Sequence, residues 1–201
     1  DLLAQTVDPQ EELPLKDAFA PPFFPAAPVE AGIFGGELSA ISLRRLARIA
    51  KESAGGFLAL TADQNIAFFT ASSDAQKNVR DELSRIGHTG ETREEQVAFR
   101  ICPGNHECKM GLAPTRDIAR QCLAAIPPLL EEKSWAISGC PNACSQPQLA
   151  DIGIITRKSI KNDDGSRSPR FDLLRRTGDA FGEPVASDLD TDQLIQSLAK
   201  I

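Results

Sequence analysis

Polar and apolar positions alternate with two distinct periods along this chain, and they divide it into three stretches. Residues 1–30 hold six of the fourteen prolines, including Pro21, Pro22 and Pro25. That density opposes both helix and central strand and predicts an arm or linker. Residues 31–88 predict a βαββα unit. Gly32–Gly36 reads as a glycine-rich strand end. Ser39 is placed to cap a helix whose apolar residues Leu43, Leu46, Ile49 and Ala50 share one face. Strands at 56–60 and 65–69 flank a turn over Thr61–Gln64. A second helix starts at Ser73 or Asp74, carries Val79, Leu83 and Ile86, and stops at Gly87. Residues 89–201 open with a charged connector, Glu91 to Gln96. A helix over 116–126 capped by Thr115 follows, then strands at 134–138, 151–156 and 171–174. A polar loop spans Lys161–Ser168, and a closing helix from Thr191 carries Leu194, Ile195 and Leu198. The fold class is therefore α+β.

Composition narrows the field. The 201 residues suffice for one domain or two small lobes, with 41% hydrophobic and 25% charged positions. The formal net charge of −6 gives no electrostatic support to nucleic-acid binding. No apolar run reaches the eighteen or so residues of a membrane span, and the first residues lack the pattern of a secretory signal. Five cysteines, four of them clustered, predict a reducing compartment, the cytoplasm.

The chemistry lies in those four. Cys102 and Cys108 are separated by five residues, Cys140 and Cys144 by three, and thirty-one lie between the pairs. Zinc knuckles wrap one small ion with tight spacings. An iron–sulfur cubane is larger and accepts ligands further apart, so the wide first spacing favours a cluster. The fifth thiol, Cys122, lies four residues from Ile118 on one helical face and reads as a core residue. His106, inside the first cysteine loop, either caps that loop or serves as a proton donor. His88 reads as a surface residue. Gly32-x-x-Gly35-Gly36 lacks the spacing of a dinucleotide fingerprint, so electrons must come from a separate donor protein.

The run from Ser138 through Cys140-Pro-Asn-Ala-Cys144 to Gly153, with the upstream Cys102-x5-Cys108, resembles the cluster-binding segment of the sulfite and nitrite reductase family. The βαββα order resembles that family's ferredoxin-like half-domain. The resemblance covers about residue 28 to 201 and matches the carboxy-terminal half of the family. It implies a [4Fe–4S] cluster on Cys102, Cys108, Cys140 and Cys144, with Cys144 shared with the iron of a siroheme. It implies contact of Asn142, Thr61 and Gln64 with siroheme, although Asn142 also suits a plain turn and Thr61–Asn65 a plain hairpin. The implied reaction is six-electron reduction of sulfite to sulfide, as in the low-mass assimilatory enzymes, or of nitrite to ammonia.

Siroheme carries many carboxylates, so nearby cations are needed. Lys109, Arg116, Arg157 and Lys158 are the catalytic candidates, with Arg175 and Arg176 close to the motifs. The chain departs from the family at Asp63, where an arginine is typical, and much of the family's anion-binding set lies in the other half. A homodimer about a two-fold axis, or a partner half, would supply it. Two further readings are a precorrin-3B synthase-like protein, whose second motif lacks the Pro-Asn pair, and a non-catalytic electron-transfer cluster protein.

Overall fold

The computed structural model describes residues 27–201, so most of the proline-rich arm lies outside the described residues. Two units follow, each with its own sheet and core. In the first, the order is β1 (Val29–Ala31), α1 (Ala40–Ser53), β2 (Leu58–Leu60), β3 (Ile66–Phe68) and α2 (Ser73–Arg85). The three short strands form an antiparallel sheet in the order β1-β3-β2. This is the expected βαββα order, with Val29 and Glu30 belonging to β1 rather than to the arm. The Ser39 hydroxyl accepts from Ser42 N at 3.0 Å and Ser72 Oγ from Ala75 N at 3.2 Å, which satisfies two orphan amides at the helix starts. Leu46, Ile49, Ala50, Val79 and Leu83 close over Ile66 and Phe68.

Leu43 departs from expectation: it is 48% exposed. Fourteen helical residues span about 21 Å, whereas three-residue strands span about 10 Å. The sheet is too short to cover the first turn of α1. Gly32–Gly36 also differs from the expected strand end, because Phe34–Gly36 closes into a 3-10 turn with Gly35 in the left-handed region.

The second unit runs α3 (Arg93–Gln96), β4 (Phe99–Ile101), α4 (Thr115–Ala125), β5 (Trp135–Ser138), β6 (Ile152–Lys161), β7 (Arg167–Arg175), β8 (Glu183–Leu189) and α5 (Thr191–Leu198). Its sheet has the order β4-β5-β6-β7-β8, parallel across β4, β5 and β6 and antiparallel thereafter. The central strands are buried along their apolar runs, Trp135–Ser138 and Ile152–Thr156, as expected where both sheet faces are covered. Ile118, Cys122, Leu194 and Leu198, from α4 and α5, pack on Trp135, Ile137, Ile154, Phe171 and Leu173. The polar loop shrinks to the turn between Lys161 and Arg167 because β6 and β7 pair beyond their apolar cores.

Thr115 does not cap α4. It is the first helical residue, and its hydroxyl donates instead to the Cys102 carbonyl. The two units meet at β4, where the Gln64 amide pairs with the main chain of Ile101.

Candidate metal centre

Both cysteine loops leave the carboxyl ends of neighbouring parallel strands. β4 and β5 pair with Ile101 opposite Ile137, so Cys102 and Ser138 exit side by side. Cys102 N extends the ladder by donating to Ile137 O at 3.1 Å, and Gly139 N donates to the Cys102 sulfur at 3.0 Å. Leu112 N, beyond the first pair, donates to Gly139 O at 2.7 Å. Strand register therefore starts the Cys102-x5-Cys108 and Cys140-x3-Cys144 loops side by side at one end of the sheet.

Glycines permit the close packing of these loops. A Cβ on Gly139 would lie 2.8 Å from Gly104 Cα and 3.0 Å from Thr115 Cγ2, and one on Gly111 would meet Gly104 main-chain atoms at 2.3 Å. Neither loop can accept a side chain at these positions without moving. The second loop is pinned from within the sheet, where Ser145 N donates to Ser138 Oγ at 3.1 Å and the two hydroxyls lie 2.7 Å apart. Ala143 and Gln146 hold left-handed backbone at φ 53° and 56°, as does Gln64 at 66°. Such strain in non-glycine residues persists where surroundings over-determine it and is common at functional sites.

The four thiols differ in exposure: Cys140 is buried, Cys102 half-buried, and Cys108 and Cys144 exposed. Cys122 is apart from them in the core, as its helical position predicts, and burial pushes its thiol up to about 12. Among the described residues no three Cys, His, Asp or Glu side chains converge as a site for one metal ion. A cubane does not require that convergence, because its thiolates bind separate corners. The donor set fits it: four thiols on two adjoining loops, an amide N–H already directed at one sulfur, and a guanidinium in the cleft beside the first loop.

That guanidinium belongs to Arg116 in the first turn of α4. Only 8% of the residue is exposed, and it pairs with Glu107 at 2.9 and 3.3 Å and lies 3.3 Å from Glu37. Hydrogen bonding to Glu107 raises the Arg116 pKa, and the same bond holds the Glu107 carboxyl below the usual range. Sequence reasoning missed a second arginine, Arg100. Its Nε donates to Ser145 O at 3.2 Å, Nη1 to Asp63 at 3.3 Å and Nη2 to Gln146 O at 3.5 Å. The available signal was a cation between the buried residues Phe99 and Ile101, one position before a ligand strand's end.

An open cleft of about 370 Å³ runs between the units, lined by Gly35, Gly36, Thr61, Gln64, Pro103 and Arg116 among others. Thr61 and Gln64, expected near a cofactor, thus face the first cysteine loop. Their polar atoms also have structural partners: Thr61 Oγ1 accepts from Asn65 N, and the Gln64 amide exchanges two bonds with Ile101. Asn142 and Lys109 are exposed on the loops. Arg157 and Lys158 lie on β6 beyond the residues paired with β5, at the cysteine end, but are engaged by Asp172 at 2.7 Å and Asp188 at 2.9 Å. Arg175 is exposed, and Arg176 donates to Leu149 O at 2.7 Å. His106 lies 3.6 Å from Asp117. His88 is not a surface residue: its ring packs against Gly32 O and Glu95 and is 19% exposed.

Comparison with known proteins shows what this half-domain and its cysteine-bearing sheet resemble. Residues 29–86 match the nitrite/sulfite reductase ferredoxin-like half domain, and the chain is homologous to the sulfite and nitrite reductases. It is 32% identical over 122 residues to the sulfite reductase [NADPH] hemoprotein beta-component of Oceanobacillus iheyensis, covering 55% of this chain and 20% of that protein. It is 31% identical over 131 residues to the ferredoxin–nitrite reductase of Synechococcus elongatus, covering 63% of this chain and 25% of the relative. Its fold superposes on the Mycobacterium tuberculosis NirA protein with a TM-score of 0.69 at 20% identity, over 86% of this chain and 34% of that one. The matches thus span about a fifth to a quarter of the curated relatives' length. Among the described residues no helix is long and apolar enough to cross a membrane.

Proposed function

We propose that this chain carries the metal-holding half of a sulfite reductase, with a [4Fe–4S] cluster on Cys102, Cys108, Cys140 and Cys144 and a siroheme in the adjoining cleft. The observation that carries the reading is the juxtaposition of the two cysteine loops at one sheet end, beside a cleft shared with the half-domain. Cys144 would be the thiolate that holds both groups. When bound, the pair supplies one-electron transfer to a substrate-binding iron. The chain's residues would hold and orient that pair: Gly139 N–H donates to a ligand sulfur, Arg116 fixes Glu107 beside Cys108, and Asn142, Thr61 and Gln64 would border the cofactor. Lys109 contributes cationic charge near the site, whereas Arg157 and Lys158 would first have to leave Asp172 and Asp188. A second copy or a partner half completes the anion-binding set, and a separate protein delivers electrons. A reducing compartment such as the cytoplasm suits the free thiols.

Anaerobic purification followed by absorption spectroscopy and metal analysis tests this. About five irons per chain, four in the cluster and one in the siroheme, with about four sulfides and a tetrapyrrole spectrum, are expected. A colourless protein holding one zinc overturns the reading, and iron and sulfide without tetrapyrrole reduces it to an electron-transfer module. Dye-driven assays with sulfite and with nitrite then identify the substrate. Cys144→Ser is expected to abolish turnover, and full activity in that variant contradicts the shared-ligand role.

A further inference from the structure

Two arginines make parallel connections that nothing in the cysteine spacing foretells. Arg100 joins Asp63, on the half-domain turn, to the carbonyls of Ser145 and Gln146, the two residues after Cys144. Arg116 joins Glu37, also of the half-domain, to Glu107, the residue before Cys108. Each arginine side chain is largely enclosed, with 17% and 10% exposed respectively, whereas the carboxylates they meet are about half exposed. Cys108 and Cys144 are also the two exposed thiols. The inner two are fixed differently: Cys102 by the β-ladder and by Gly139 N–H, Cys140 by burial.

We infer that Arg100 and Arg116 are positioning residues, each a strut that fixes the chain beside one exposed cysteine against the half-domain. The half-domain then sets the distance between the outer ligands and has a role in the metal centre without supplying a ligand. A guanidinium suits the task because its planar donors engage several oxygens at once, which a lysine cannot do. The struts rest on side-chain geometry alone; their purpose rests on the cluster reading proposed above.

Hydrogen exchange read by mass spectrometry on the full, metal-free chain tests the struts without the cofactor. Arg100→Met keeps the aliphatic stem and is expected to speed exchange at 142–149 by about tenfold, the scale of a lost hydrogen bond to a charged group, while leaving 103–112 unchanged. Arg116→Met is expected to do the reverse. Asp63→Asn and Glu107→Gln alter exposed carboxylates that a folded chain tolerates, and each is expected to give about two- to fivefold in its own loop only. Equal acceleration in both loops, or none in either, overturns the inference. In chain reconstituted with iron and sulfide, Arg100→Met is expected to lose iron to a chelator faster and to change the electron paramagnetic resonance of the reduced cluster. A wild-type chain that takes up no iron refutes the cluster reading, and the exchange data still decide the struts.

Discussion

Asp151 ties the entry of β5 to that of β6 with one carboxylate. Its Oδ2 accepts from Ser134 N at 2.9 Å and from Ser134 Oγ at 2.8 Å, and Ser134 Oγ lies 2.9 Å from Asp151 N. The Ser134 amide, then its hydroxyl and the charges of Lys133 and Arg176, lower the Asp151 pKa against the opposing effect of burial. A carboxylate with a depressed folded pKa stabilises the fold above its unfolded value of about 3.9, and that stability is lost as pH falls through the folded value. Asp151→Asn is therefore expected to cost about 1 kcal/mol at pH 7. The difference from wild type shrinks as pH drops below about 4. Urea unfolding of both proteins at pH 7 and pH 3 checks this, and an equal difference at the two values contradicts it. Residues of this kind divide by what sequence can express. The two cysteine pairs were readable because their spacing is local, and the burial of Cys122 because helical periodicity places it on the core face. Arg100 and Asp63 were not, since their pairing across 37 residues exists only once β4 lies against the half-domain turn.

At the scale of elements, the contact between the two cysteine loops is the most constrained feature. Gly139→Ala would set a Cβ 2.8 Å from Gly104 Cα, a main-chain atom that cannot yield by rotating a side chain. The loops must separate, at a cost of about 1–3 kcal/mol. The expected result is a folded protein with a lower melting temperature and reduced iron per chain after reconstitution. Unchanged iron content contradicts the role given to this contact. Helices were well marked in the sequence because their apolar residues keep period and Ser39 caps the first, while the caps Ser72 and Asp190 were not read from it. Two strands were not. β4 has three residues and a central arginine, too brief for a period to register. β8 is an exposed edge whose residues are mostly accessible, so no buried face imprints alternation on it. β6 continues past its apolar run as a polar hairpin arm, held by main-chain pairing with β7 rather than by burial.

At the scale of the molecule, two cores share one joint, and their sizes differ. The half-domain core contains Val29, Leu46, Phe68, Val79 and Leu83 around a sheet of three-residue strands, while the second core extends from Val97 to Leu198. A unit of about 60 residues buries a smaller fraction of its surface and has little stability to spare. Leu46 is fully buried at its centre. Leu46→Ala is expected to cost about 2–5 kcal/mol, enough to open the half-domain while β5 and β6 stay closed. Hydrogen exchange should then show protection lost across 29–86 and kept in the strands at 135–138 and 152–156. The joint makes a further demand. Gln64 caps the main chain at Ile101 and Asp63 orients Arg100, so opening the half-domain removes both supports at once. Exchange in the Cys144 loop should rise together with that of the half-domain. If the half-domain opens and the 142–149 segment keeps wild-type protection, the metal loops are held by their own sheet, and the half-domain is a neighbour rather than a support.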